Sequence, residues 1–346
     1  MTKEASSRGR IPSLDGLRAL SILLVLFGHA VGTRGFPVTR TDYGLATAGV
    51  DTFFIISGFL ITKLLLEELN SRGRISLRGF YRRRVLRIFP AFYAYWLVTV
   101  ALVAAGLLAI QGKYLAYAAT YLIDYVPSRP WHLGHLWSLA VEEQFYLLWP
   151  LTLFLLGRRR AFWVVGLIIL LAPPIRIAQF YLVPWDRAGI SGEIHNIGDC
   201  IASGCLLAGL RDWLWLHERY RRLVSSWQFW VAPLLIVLTL IVGVHPRVKW
   251  LIGIPIFNLA VVLCIDRWTR FPKADPVGAF LNWRPIAFIG VLSYSLYLWQ
   301  QPFMNRDGHF AWNGFPWNIA LAFLTALASY TLIEKPFLAL RYKSPR

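Results

Sequence analysis

Apolar runs of about 20 residues, the length that crosses roughly 30 Å of hydrocarbon as a helix, recur along nearly the whole chain. They fall at 12–31, 46–66, 88–110, 137–157, 161–182, 196–216, 229–245, 249–267, 284–304 and 315–337. The connections between them are short, the longest being a basic segment at 67–87 and a segment at 111–136 that carries Pro127, Pro130, Trp131, His132 and His135. No long polar stretch, low-complexity tract or obvious repeat breaks this pattern. It predicts an all-α fold: a polytopic integral membrane helical bundle of about ten transmembrane helices, forming one membrane domain over 1–346 with no appended soluble domain. The stretch 113–126 reads as an interfacial or re-entrant helix.

Composition agrees with lipid as the solvent. Hydrophobic residues make up 57% and aromatic residues 15% of the 346, and the mean hydropathy is +0.50, more apolar surface than a soluble core of this length buries. A net charge of +18 would suggest nucleic acid for a soluble chain. Here the basic residues are sorted by side. Lys3, Arg8, Arg10, Arg72, Arg74, Arg78, Arg82, Arg83, Arg84, Arg87, the runs near 158–160, 211–222 and 267–284, and Lys335, Arg341, Lys343 and Arg346 all fall on one side of the predicted bilayer. Few, among them Arg34, Arg40, Lys113, Arg129 and Arg306, fall on the other. The positive-inside rule then sets both termini in the cytoplasm and removes the argument for a nucleic-acid partner. A basic start before an apolar run imitates a signal peptide, but Arg18 and His29 lie inside the run and no small-x-small cleavage site follows, so the first helix is expected to be retained. Cys200, Cys205 and Cys264 lie in predicted spans and read as packing thiols.

Charged side chains inside spans are costly, and they mark candidate chemistry. In the first span Arg18 and His29 are eleven positions apart, about 20° from three full turns, so both project from one face about 16 Å apart along the axis. Asp51 enters the second span near its outer start and needs a partner, for which His29 is suitable; Ser57 and Gly58 near its middle permit close packing. Arg84 and Arg87, one turn apart at the cytoplasmic mouth of the third span, can present two donor forks to a polyphosphate such as the nucleotide end of a coenzyme A thioester. A basic run there is equally the ordinary positive-inside signal. Glu142 and Glu143 are adjacent in the fourth span and so point to different faces. His132 and His135 lack further ligands in any metal motif, and no metal is expected. Near the C-terminus stand Ser293, Tyr294, Gln300, Gln301 and Glu334, the last suited to pairing with a basic residue.

Taken in order, the Arg18 to His29 spacing, GVDTFFIISGFLI, RRRVLRIFP, HLWSLAVEEQFYLLWP, SYSLYL and IEKPF resemble the acyltransferase-3 family over about residues 11–338. The region 160–280 contributes only hydrophobicity. The resemblance implies an O-acyltransferase of the bacterial plasma membrane. Such a protein moves an acyl group, commonly acetyl, from acyl-CoA as co-substrate to a hydroxyl of an extracytoplasmic or lipid-linked carbohydrate, with membrane lipid around it. It implies Arg18, Arg84 and Arg87 on the donor, His29 on the acceptor side with Asp51, Glu142 or Glu143 orienting it, and Ser57, Tyr294 and Glu334 as further candidates. One departure is that many members carry a His before the Pro that follows SYSLYL, where this chain has Trp299, Gln300 and Gln301 before Pro302. Some members also carry a C-terminal esterase-like domain, which is not expected in a chain ending at Arg346. A covalent relay through His29 or Ser57 is the alternative route. A transporter or flippase of an anionic solute or lipid-linked sugar is the alternative class.

Overall fold

The computed structural model describes residues 11–37, 42–187, 190, 192–241, 246–308 and 310–340. Lys3, Arg8, Arg10, Arg40, Arg341, Lys343 and Arg346, which entered the sidedness argument, lie outside them. Among the described residues there is helix and no strand. The first half contains α1 (Pro12–Ala30), α2 (Asp42–Arg72), α3 (Leu77–Ala104), the short α4 (Gly112–Ala119) and α5 (Trp131–Gly134), and α6 (Leu136–Leu182). The second contains α7 (Ile194–Leu216), α8 (Glu218–Ser225), α9 (Val231–Ile241), α10 (Pro246–Val248), α11 (Ile254–Arg270), α12 (Pro276–Leu281), α13 (Arg284–Trp299), α14 (Trp317–Ser329) and α15 (Lys335–Leu340). Two π turns, Lys249–Gly253 and Tyr330–Glu334, extend α11 and join α14 to α15.

Each predicted span overlaps helix among the described residues, but six stretches pass as membrane-crossing on length and apolarity alone: Ser13–Ala30, Gly44–Arg72, Leu77–Ala104, Trp131–Leu182, Lys249–Arg270 and Trp317–Leu340. The pair Glu218–Ser225 and Trp227–Ile241, bent by 67°, would add a seventh. The difference from ten has physical causes. Trp131–Leu182 has 52 residues, about 78 Å of helix and more than twice the hydrocarbon thickness, and α6 breaks at Gly157 with φ 71° and ψ 168°. That break divides it into the two segments read from the sequence. The helix α13 has only 16 residues, and α7 buries Asn196 and Asp199 among its apolar positions. The segment after α3 forms α4 and a 3-10 turn at Ile123–Tyr125, tucked against α3 by Tyr93 Oη donating to the Ala119 carbonyl and the Trp96 indole to that of Leu115. The three cysteines are free and buried, as expected of packing thiols.

At the centre α1 lies against α2, α12 and α13, and α2 lies against α7. The α2–α7 crossing is a reciprocal glycine contact: a Cβ on Gly58 would meet the Ile201 carbonyl oxygen at 2.0 Å, and one on Gly204 would meet that of Ile55 at 2.0 Å. Backbones approach this closely only where each helix offers a residue without a side chain to the other's carbonyl, the small-residue packing favoured between helices in lipid.

The basic residues gather at one end of the bundle. Arg83 reaches Glu68 at the junction of α2 and α3, Arg158 donates to the Gly209 carbonyl, Arg211 and Arg270 share Asp266, and Arg267 holds Asp275. At the opposite end Asn318 donates to Thr33, the Phe315 amide donates to the Arg34 carbonyl, and the Trp131 indole donates to the Gln301 carbonyl. This two-ended arrangement carries the site.

Candidate active site

Near the middle of the bundle, Arg18, Ser57, Glu142 and Tyr294 open onto one small cavity of about 50 Å³. Ser138, Ser293 and Tyr297 share its wall with the apolar Val50, Phe53, Phe54 and Leu139. Helical spacing explains the convergence: Val50, Phe53, Phe54 and Ser57 form one stripe of α2, while Ser138, Leu139 and Glu142 form one of α6. Glu142 accepts hydrogen bonds from Ser57 Oγ and from Tyr146 Oη, the latter one turn along the same helix. Of the two adjacent acids, Glu142 therefore faces the cavity. Glu143 turns away toward α3 and α4, within electrostatic reach of Arg84, Tyr93 and Tyr121.

Arg84 is buried, its guanidinium 5.0 Å from the Tyr146 ring centre and 5.5 Å from that of Phe80, so the cation is held beside the Glu142 cluster by two aromatic faces. Arg87 and Arg18 lie within electrostatic reach of one another, and both reach the buried Glu334. Glu334 also accepts from Ser295 Oγ at 3.0 Å. Tyr294, besides lining the cavity, donates from Oη to the Ile88 carbonyl of α3 at 2.8 Å. Of the three arginines singled out in the sequence Arg18 lines the cavity, while Arg84 and Arg87 stand behind its wall, within electrostatic reach of Glu143 and Glu334 respectively.

His29 belongs to a second level, outside the cavity wall and about 16 Å along α1 from Arg18. Its Nδ1 lies 3.0 Å from Gln300 Oε1, and its ring packs edge-on to Trp131, with centroids 5.8 Å apart. The buried His135 is within electrostatic reach of it. The Leu298 carbonyl faces the His135 ring, but neither ring nitrogen makes a hydrogen bond of ordinary geometry. The two levels are linked by Tyr297, whose Oη donates to the His135 carbonyl at 2.9 Å and meets Ser138 Oγ at 2.5 Å. At the outer rim Asp124 is fixed by the Gln144 amide at 3.0 Å; burial lifts its carboxyl to about 6, and the hydrogen bond from Gln144 works the other way.

Two sequence expectations are corrected here. The structure does not pair Asp51 with His29: a Cβ on Gly49 would touch Ser21 and Val25, which sets Asp51 deeper in the bundle than His29. Asp51 lies on the α2 stripe turned to α7, within electrostatic reach of Asp199, Arg176 and Lys249. Nor is a carboxylate the hydrogen-bond partner of His29 among the described residues; the Gln300 amide is. Sequence reasoning named Gln300 among the C-terminal polar residues without giving it a task, and considered His135 only for a metal site that it did not expect. Tyr146 could have been found from its position four residues after Glu142, whereas Gln300 comes from 271 positions away and has no local signal.

The polar cluster around Asp51 is structural. Arg176 is fully buried, donates to the Asn196 carbonyl at 2.5 Å, pairs with Asp199, and reaches the Trp250 carbonyl at 3.4 Å, so it ties α6 to α7 and to the turn before α11. Arg176→Met should destabilise the fold by about 3–5 kcal/mol, because it leaves the Asp199 carboxylate buried without its cation. Combining it with Asp199→Asn should recover much of that loss. Thermal unfolding in detergent measures both, and equal damage from the single and double variants would contradict this account.

Fold and site together define a polytopic helical membrane protein with a cavity lined by Arg18 and Glu142 among its helices. The sequence profile of the acyltransferase-3 acyltransferase domain matches residues 11–334, and the chain belongs to that family, as its motifs suggested. It is 30% identical over 360 residues to O-acetyltransferase OatA of Staphylococcus aureus strain NCTC 8325, an alignment covering 94% of this chain and 57% of that protein. It is 26% identical over 371 residues to YrhL of Bacillus subtilis strain 168, provisionally named a peptidoglycan O-acetyltransferase, with 96% of this chain and 56% of YrhL aligned. The chain thus spans somewhat over half the length of these relatives. No solved structure matches it.

Proposed function

We propose that the chain is a membrane O-acyltransferase of the bacterial plasma membrane. In this reading it takes an acetyl group from acetyl-CoA at the basic, cytoplasmic end and delivers it to a hydroxyl of an envelope carbohydrate, with peptidoglycan the first candidate. The names of the relatives support the reaction and the acceptor class. The observation that carries the reading is the two-level site, with Arg18, Arg84 and Arg87 converging at one level and His29 standing about 16 Å farther along α1. Such a separation suits a donor whose charged nucleotide end and thioester are joined by a long flexible arm. The arginines bind the phosphates as planar donor forks. His29, neutral, takes the proton of the acceptor hydroxyl as its oxygen attacks the thioester carbonyl. The carbon–sulfur bond then breaks, and the imidazolium returns the proton to the departing thiolate.

The hydrogen bond from Ser57 to Glu142 supports a second route to the same product: Glu142 takes the Ser57 proton as Oγ attacks the thioester carbonyl, the carbon–sulfur bond breaks and that proton leaves with the coenzyme A thiol, and the acceptor hydroxyl then attacks the acyl-serine ester, its proton returning to Ser57. Labelled acyl-protein trapped by a quench during turnover would favour this route.

Transfer of label from radioactive acetyl-CoA into carbohydrate by vesicles bearing the chain tests the main reading. Arg84→Ala and Arg87→Ala should each raise KM for acetyl-CoA about 10- to 100-fold, the worth of one charge-assisted hydrogen bond. Solute uptake with no consumption of acetyl-CoA would replace this reading with the transport one.

A further inference from the structure

Gln300 is fully buried, and its backbone is held rigidly where α13 ends. Its amide N–H donates to the Leu296 carbonyl at 3.0 Å, and its own carbonyl caps Phe303 and Met304 at 3.0 and 3.1 Å. On one side, Gln301 is clamped to Trp131 by two reciprocal hydrogen bonds of 2.8 Å each, from the Trp131 indole to the Gln301 carbonyl and from Gln301 Nε2 to the Trp131 carbonyl. On the other, the Trp299 ring packs edge-on to Tyr95, with centroids 5.3 Å apart. The Gln300 side chain is therefore delivered to His29 from a rigid turn, and its Oε1 meets Nδ1 at 3.0 Å. Its other amide atom, Nε2, is buried with no hydrogen-bond partner.

A neutral imidazole has one N–H and one lone pair, and the partner of one nitrogen decides which nitrogen carries which. An amide oxygen accepts only. We propose that Gln300 is a positioning residue for the transfer: its Oε1 holds His29 with the proton on Nδ1, leaving the Nε2 lone pair to take the acceptor's hydroxyl proton. The reverse amide orientation would donate into Nδ1 and leave Nε2 protonated, unable to act as a base. This rests on the reading of His29 as the base, and it gives Gln300 the orienting task that the sequence assigned to Asp51, Glu142 or Glu143.

The test compares Gln300→Leu, which offers no polar atom, with Gln300→Glu, whose carboxylate can only accept. Arg306, which donates to the Gly28 carbonyl at 3.1 Å and lies within electrostatic reach of His29, would offset the added charge. Full-length protein in vesicles is assayed for kcat and for KM of acetyl-CoA, with thermal unfolding as the check on folding. Gln300→Leu should lower kcat at least about 10-fold, in line with the cost of a wrong imidazole tautomer. Its KM for acetyl-CoA should stay within about two-fold, since the donor-side arginines are untouched. Gln300→Glu should restore most of kcat, a rescue that a merely space-filling role does not give. The proposal is overturned if a folded Gln300→Glu is as slow as Gln300→Leu, or if Gln300→Leu turns over normally. His29→Ala, run alongside, separates the two ideas: full activity there removes the reading itself, while an inactive His29→Ala beside normal Gln300→Leu removes only the role of Gln300.

Discussion

His29→Ala is expected to lower acetyl transfer about 10²- to 10⁴-fold, the usual contribution of a positioned general base. Binding of acetyl-CoA should change little. The asymmetry follows from the two levels of the site, because His29 bonds to Gln300 and packs on Trp131, whereas Arg18, Arg84 and Arg87 surround the Glu142 end. In kinetic terms kcat falls while KM for acetyl-CoA stays nearly constant, the signature of an interaction made only in the transition state. Radiolabel transfer in vesicles with matched protein levels measures this. A variant that transferred label at the normal rate would remove His29 from the reaction and shift attention to Ser57 and Glu142.

Gly290→Ala should be the most damaging single methyl group added to the chain. A Cβ there would lie 1.8 Å from the carbonyl oxygen of Asp15, and 2.5 Å from its carbonyl carbon, so the new atom meets backbone and no flexible side chain can yield. The helix α1 is also wedged on its other flank, where a Cβ on Gly16 would meet the Leu281 carbonyl at 2.2 Å. Forcing α1 and α13 apart costs about 1–3 kcal/mol or more. It should also separate His29 from Gln300, because that hydrogen bond joins α1 to the residue that ends α13. Gly166→Ala, whose Cβ has nothing within 4 Å, is the matching control and should be neutral or slightly stabilising. Unfolding temperature and transfer activity should fall together in Gly290→Ala. Retention of both would mean that the α1–α13 contact does not set the geometry of the site.

Helical periodicity explains why part of the site was readable in advance. Arg18 and His29 share a face because eleven residues come within about 20° of three turns, and that holds whatever surrounds α1. The neighbouring Glu142 and Glu143 had to point apart for the same reason. Which of them faced the cavity depended on Ser57 and Tyr146 meeting Glu142 and on Arg84 and Tyr121 lying near Glu143, and those residues come partly from other helices. Arg84 and Arg87 could be read as donors one turn apart. That Arg84 would be clasped by Phe80 and Tyr146 depended on how α3 lies against α6.

Asp51 and Gln300 mark where local reasoning ended. The charge of Asp51 inside an apolar span correctly demanded partners, but the choice between His29 and the Arg176–Asp199 pair was decided by the register of α1 against α2 at Gly49 and by the glycine contact between α2 and α7. Gln300 stood out only as part of the departure Trp299-Gln300-Gln301 before Pro302, and nothing local to that segment says that its side chain meets His29. The sequence by itself determined the solvent, the helical class, the basic end and the family, since these depend on composition, on runs of about 20 apolar residues and on motif order. Only the tertiary structure decided which buried polar groups meet. A polar atom in a low-dielectric interior must find a partner wherever packing brings one, and that partner can lie hundreds of residues away.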